Sequence, residues 1–167
     1  TPVDTTWKVR IALRPALSPD GRRAAVAIAE RVGVTSLWIK DLERPVVAKL
    51  ADRGTAATWS PDGRTVAFSS PQGLMRAPAD GSTVPARWLS AAGELRTTSL
   101  DWSHDGKWLV YANGNADLSA IHLDGGTTVQ SLLATPAVEL QVALSPDGRW
   151  LGYISDESGR YEVYVRP

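Results

Sequence analysis

Hydrophobic and polar positions along this chain come in short alternating runs separated by turn-forming residues. In the stretch from Thr55 to Ser60 a short strand ends at Pro61-Asp62-Gly63, and Thr65 to Ser69 (TVAFS) then alternates before Pro71, Gln72 and Gly73 break the run. This pattern predicts two strands joined by a hairpin. A third strand is expected from Leu74 to Ala79, a turn at Asp80 and Gly81, and a fourth strand from Ala86 to Ser90. The same plan recurs in the third strands SLWIKDL from Ser36, DLSAIHL from Asp117 and YEVYVR from Tyr161, and in the fourth strands VVAKLA from Val46 and VQSLLA from Val129. No stretch reads as a helix.

The hairpins carry a repeated phrase: ALSPDGRRAAVAI from Ala16, TWSPDGRTVAFSS from Thr58, DWSHDGKWLVYAN from Asp101 and ALSPDGRWLGYIS from Ala143. Its serines, Ser18, Ser60, Ser103 and Ser145, are 42, 43 and 42 residues apart, a period that marks a repeat architecture. The phrase is turn chemistry. Proline presets φ for the first central position, the aspartates Asp20, Asp62, Asp105 and Asp147 can accept local backbone N–H bonds, and Gly21, Gly63, Gly106 and Gly148 supply φ above zero. A sheet of four short strands cannot bury both faces alone, so the copies must stack around an axis. The expected fold is all-β, a β-propeller of four-stranded antiparallel blades. Its four repeats span roughly 12–51, 55–91, 97–134 and 138–167, with a strand over 5–11 completing a blade. Trp59, Trp102, Trp108, Trp150, Phe68, Tyr111 and Tyr153 fall at or near equivalent repeat positions and are expected between blades.

The LSPDGRW and WSPDGR motifs, each followed by an aromatic strand, resemble the TolB-like propeller repeat of bacteria, and the resemblance covers essentially the whole chain. The last copy, ALSPDGRWLGYISDESGRYEVYVRP, is similar to the propellers attached to bacterial serine/threonine protein kinases. Related repeats also occur in the propeller that caps prolyl-oligopeptidase-type peptidases. The resemblance implies a module rather than a chemistry, an interaction, sensor or scaffold propeller or, alternatively, the substrate-gating propeller of a peptidase, in a periplasmic or extracytoplasmic setting; no kinase or peptidase domain is visible in these residues. It further implies rings of six to eight blades, so two chains are expected to close one eight-bladed ring, the N-terminal strand of each completing the last blade of the other; the rival reading is that the four repeats are part of a larger propeller.

Composition narrows the partners. The 18 basic and 18 acidic residues cancel, which removes the electrostatic case for nucleic acid or an anionic membrane surface. There is no cysteine, hence no disulfide or thiolate chemistry, and no apolar run approaches a membrane span. The chain opens at Thr1 without methionine and reads as cut from something longer or processed.

Candidate chemistry is sparse. Ser103, His104 and Asp105 stand side by side, but neighbours in a tight turn do not converge on one substrate atom as a triad must, and His104 merely takes the proline slot of the motif. His122 falls on a third strand at a position that varies between repeats. One turn carboxylate per blade cannot assemble the six to eight oxygens that calcium needs. No phosphate loop, HExxH or GxSxG occurs, so neither a catalytic residue, a cofactor nor a metal is expected. The loops between second and third strands vary instead: AERVGVTS, SPQG, NGNAD and SDESGRY. With the fourth-to-first connections they carry Arg31, Arg53, Glu94, Arg96, Asn115, Glu139, Asp156, Glu157 and Arg160, a face of mixed charge expected to bind a protein or peptide.

Overall fold

A computed structural model describes residues 12–90, 99–124 and 128–167, and every regular element in them is a strand. Blade 1 holds β1 (Ala12–Leu17), β2 (Arg23–Arg31), β3 (Val34–Asp41) and β4 (Val47–Ala51); blade 2 holds β5 (Thr55–Trp59), β6 (Thr65–Ser70), β7 (Gly73–Pro78) and β8 (Ala86–Ser90). Blade 3 holds β9 (Ser99–Trp102), β10 (Trp108–Ala112), β11 (Leu118–His122) and β12 (Val129–Leu133). Blade 4 holds β13 (Glu139–Leu144), β14 (Leu151–Ser155) and β15 (Glu162–Arg166). Each blade is an antiparallel sheet paired in sequence order, the first three with four strands and the last with three. The strand expected over 5–11 lies outside the described residues.

The repeated turn fixes the blades locally. In all four copies the serine hydroxyl donates to the aspartate Oδ1 two residues on, at 2.5 to 2.6 Å, and accepts the N–H five residues on, at 2.8 to 3.0 Å. The same Oδ1 takes the N–H of the residue after the glycine, at 3.0 to 3.1 Å. The glycine N–H closes the turn onto the serine carbonyl, and Gly21, Gly63, Gly106 and Gly148 have φ between +67° and +78°, where a side chain would be strained. Serine is therefore as much a part of the turn as aspartate and glycine.

Alternation on the strands then builds three inter-blade seams. Ala25, Ala27, Leu37 and Ile39 of blade 1 meet Trp59, Val66, Phe68 and Met75 of blade 2. Ala67 and Leu74 of blade 2 meet Leu109, Tyr111 and Ile121 of blade 3, and Val110, Leu118 and Ala120 of blade 3 meet Val142 and Tyr153 of blade 4. Of the aromatic residues expected in these layers, Trp59, Phe68, Tyr111 and Tyr153 are buried and Trp102 and Trp108 half-buried. Trp150 departs from the expectation at 45% exposed. It stands on the far side of blade 4, where the described residues place no further sheet.

β1, β5, β9 and β13 lie side by side as the innermost strands and line a central channel of about 510 Å³. Three of them carry a bulge, between Leu13 and Ala16, Thr55 and Ala57, and Leu140 and Ala143. Ala56 and Gln141, each four residues before its turn serine, accordingly have positive φ.

Candidate partner-binding face and central channel

The two ends of the propeller differ in build. At one end the four serine-aspartate-glycine turns repeat the same cage of hydrogen bonds. At the other, the turns between second and third strands are each held by different local chemistry. In blade 1, Glu30 Oε1 accepts the Ser36 hydroxyl at 2.6 Å and pairs with Lys49 Nζ at 3.1 Å, and Lys49 lies 5.2 Å from the Trp38 ring centre. The Ser36 bond and then Lys49 hold the Glu30 carboxyl below its ordinary pKa. In blade 3, Asn113 Oδ1 accepts the N–H groups of Asn115 and Asp117, and Ala116 has φ +63°. In blade 4, Asp156 Oδ1 accepts the Val138 N–H at 2.7 Å, and Arg160 donates through Nε and Nη2 to Glu162 at 2.9 and 2.7 Å.

This variable end presents most of the residues predicted from sequence. Arg31, Arg53, Asn115, Glu157 and Arg160 are exposed and Asp156 is half-buried. Arg53 and Asp52 edge a groove of about 460 Å³ that runs between blades 1 and 2 past Gln72 and Val84. Glu94 and Arg96 lie outside the described residues.

Glu139 corrects the expectation. It is 0% exposed, because it opens β13 opposite Ser155 and so points into the seam beside Tyr153 rather than onto the face. One carboxylate oxygen accepts the Thr135 hydroxyl; the other, like the Tyr153 hydroxyl, is buried without a partner. Burial pushes the Glu139 carboxyl above its ordinary pKa, and the negative Asp117, Glu157 and Asp156 push the same way against the Thr135 bond.

The central channel is walled by small and apolar side chains such as Ala16, Ala57, Leu100 and Val142 together with polar groups. Its distinctive side chains are on β9 and were not singled out from sequence. Asp101 Oδ2 accepts the Leu144 N–H of the neighbouring blade at 2.6 Å, and Ser99 Oγ accepts the Val142 N–H at 3.2 Å. These side chains stitch β9 to β13, much as Trp59 Nε1 ties β5 to the Ala16 carbonyl of β1 at 2.9 Å. Burial raises the Asp101 pKa, opposed by the N–H bonds from Leu144 and Trp102. The signal was available: the matching places in the other repeats hold Ala16, Thr58 and Ala143, none of them ionisable.

Ser103, His104 and Asp105 form a turn like the other three. The Ser103 hydroxyl donates to Asp105 at 2.6 Å, and His104 is exposed in the proline slot. His122 stacks edge-on against Trp108, 4.5 Å between ring centres. Among the described residues no group of three or more His, Asp or Glu is placed to hold a metal ion.

Stacked antiparallel blades around a channel, with this repeated turn, define a β-propeller. Two solved structures place it more closely. A putative TolB from Agrobacterium tumefaciens superposes with a TM-score of 0.77 at 19% identity, over 96% of this chain and 62% of that one. TolB from Acinetobacter baumannii also gives 0.77, at 18% identity, over 93% of this chain and 41% of that one. The fold is thus that of a TolB-type propeller. In sequence, the chain is 27% identical over 164 residues to an uncharacterized peptidase, YuxL, of Bacillus subtilis, covering 90% of this chain and 24% of that protein. No protein-family profile matches the chain. The chain therefore spans only part of the proteins it resembles.

Proposed function

We propose that this chain is a non-catalytic propeller module of a larger bacterial protein, binding a protein or peptide through the variable-loop end. The observation that carries the reading is the contrast between the ends: four near-identical turns at one, and at the other four differently built turns that, with the β4–β5 connection, expose Arg31, Arg53, Asn115, Glu157 and Arg160 on a stack of sheets. Both charge signs on one surface favour a mixed-charge polypeptide over a polyanion. The repeated use of the motif serines as turn donors supports a structural role for Ser103. Arg53→Glu and Glu157→Lys should each abolish retention of the cognate partner in cross-linked pull-downs while leaving the melting temperature unchanged. Loss of binding together with melting would place these residues in the scaffold and sink the reading.

A second reading, a propeller that gates substrate entry to a serine peptidase, is favoured by the 27% identity to a protein named as a peptidase. A GxSxG-bearing hydrolase domain encoded with this segment would select it; a kinase domain would select the sensor or scaffold role.

The propeller self-associates in this proposal, two copies completing an eight-bladed ring. Val163 and Val165 are 75% and 62% exposed, yet they occupy the places that Leu118 and Ala120 hold in blade 3, where blade 4 buries them. Light scattering at micromolar concentration should give twice the chain mass. A monomer that binds no apolar dye would remove the dimer.

A further inference from the structure

We infer that the groove between blades 3 and 4, at the repeated-turn end, takes an arginine side chain from a partner polypeptide. The molecule contains its own precedent. Where blade 1 meets blade 2, Arg23, five residues after its turn serine, crosses the seam. Its Nη2 donates to the Gly63 carbonyl at 2.8 Å, and its guanidinium lies 4.9 Å from the Trp59 ring centre. In blade 3 the turn glycine carbonyl, that of Gly106, accepts the Trp102 indole N–H at 3.3 Å. In blade 4 no described residue donates to the corresponding Gly148 carbonyl.

The seam between blades 3 and 4 has Trp108 at the place of Arg23, and its ring meets His122 of its own blade edge-on. What remains is a groove of about 470 Å³ walled by Trp108, Leu132, Leu144 and Leu151 and reaching Gly148. Leu132 is 43% exposed, so the trough is open to an incoming chain. Its charged lining is Asp105, Asp147 and Arg149, with His104 beside them. Hydrogen bonds from Ser103 and Ser145 keep the two carboxylates below their ordinary pKa, so both are ionised at neutral pH and outnumber the single guanidinium.

An apolar trough with one indole wall, ending at a carbonyl and carboxylates, matches a guanidinium on a methylene stem. Arginine stacks on aromatic faces and donates in a plane, which a lysine ammonium does not. An anionic group would meet Asp105, Asp147 and a carbonyl oxygen. The groove lies at the opposite end of the strands from the variable loops, so it stands or falls independently of the partner face proposed above.

Titration with an N-acetylated, amidated Gly-Arg-Gly peptide, following the indole N–H resonances, tests the inference. A saturable shift at Trp108 is expected, with none at Trp150 on the far face of blade 4, and affinity at least about tenfold weaker for the neutral citrulline analogue. Trp108→Arg supplies the guanidinium within the chain, as blade 1 does, and should abolish the titration. Leu132→Arg, introduced from an exposed position on β12, should do the same without disturbing the seam. Equal binding of the citrulline peptide, absence of shifts up to about 10 mM peptide, or undiminished binding by a folded Leu132→Arg would each overturn it.

Discussion

Blade 2 is covered on both faces and blade 4 on one, although both grow from closely similar phrases, TWSPDGRTVAFSS and ALSPDGRWLGYIS. Their turns are alike to within a few tenths of an ångström in every shared hydrogen bond and within a degree in glycine φ. Their side chains are not alike. Ala67 and Val66 are fully buried on opposite faces of blade 2, whereas Val163 and Val165 of blade 4 stand in solvent. The repeat therefore dictates the path of the backbone, and the neighbouring blade dictates what becomes core. A second contrast concerns polarity. Gly54 and Glu139 both sit six residues before their turn serine and both donate N–H to the preceding blade, to the Thr35 and Ala116 carbonyls. Around Gly54 the seam is filled by Leu37 and Phe68; around Glu139 the same places hold Leu118 and Tyr153, which brings two unpartnered polar atoms into the packing.

The largest effect should come from emptying the covered seam. Phe68→Ala is expected to cost about 3–5 kcal/mol in urea denaturation, and Val165→Ala far less. If the two were equal, blade 4's far face would be core after all. Filling the seam should cost less: a methyl at Gly54 would meet Leu37 Cβ and Phe68 Cδ2 at 3.0 Å, both carbon atoms of packed side chains. Gly54→Ala is therefore expected to lose about 1–3 kcal/mol.

Glu139 sharpens the same contrast through pH. Its folded-state pKa is raised above the ordinary 4.5, so the folded chain holds a proton that the unfolded chain releases. Stability contributed by this group is thus intact below about pH 4.5 and declines as pH rises from there through the folded-state value. Glu139→Gln should raise the midpoint of unfolding at pH 7, and the gain should vanish as pH falls below 4.5. A gain that is independent of pH would assign the effect to packing instead. The turn aspartates behave oppositely: their pKa values are lowered chiefly by the serine hydroxyl, so their contribution is present above pH 3.8 and is lost as pH falls through the folded-state values.

Period-two alternation and the turn phrase made the hairpins, their order and the stacked-blade fold legible, because each is decided within some ten residues of chain. The placement of Glu139 was not legible. A charged residue in a connecting stretch reads as solvated, and only the pairing of β13 with β14 turns it inward. Trp150 was misjudged for the converse reason: its repeat position matches Trp108, but burial there depends on a following blade. Asp101 and Ser99 act across a seam on backbone groups 43 residues away, an interaction for which a single repeat holds no trace beyond its departure from the others.

Turn strain should be the same in covered and uncovered blades, since it arises from the chain's own backbone. Gly63→Ala and Gly148→Ala place a Cβ at φ +67° and +68°, with no neighbour closer than 3.6 Å in the first and none within 4 Å in the second. Each should lose about 1 kcal/mol, and unequal losses would tie the turn to its neighbours.

The smallest effect is expected on blade 4's far face, and it decides what that face is for. Gly152 and Ile154 of β14 pair with Val165 and Val163 of β15, so these residues share one surface with Trp150. In blade 3 the equivalent surface is closed by the next sheet. Val165→Thr keeps the branched shape that suits a strand but adds a hydroxyl that water can satisfy only while the face is open. At concentrations where the chain is monomeric the change should lie within about ±0.5 kcal/mol. Once two copies close a ring, the same hydroxyl is buried in an apolar layer, and association should weaken. Sedimentation of Val165→Thr beside the parent chain measures this directly: a dissociation constant unchanged by the substitution would mean that any dimer forms through a different surface.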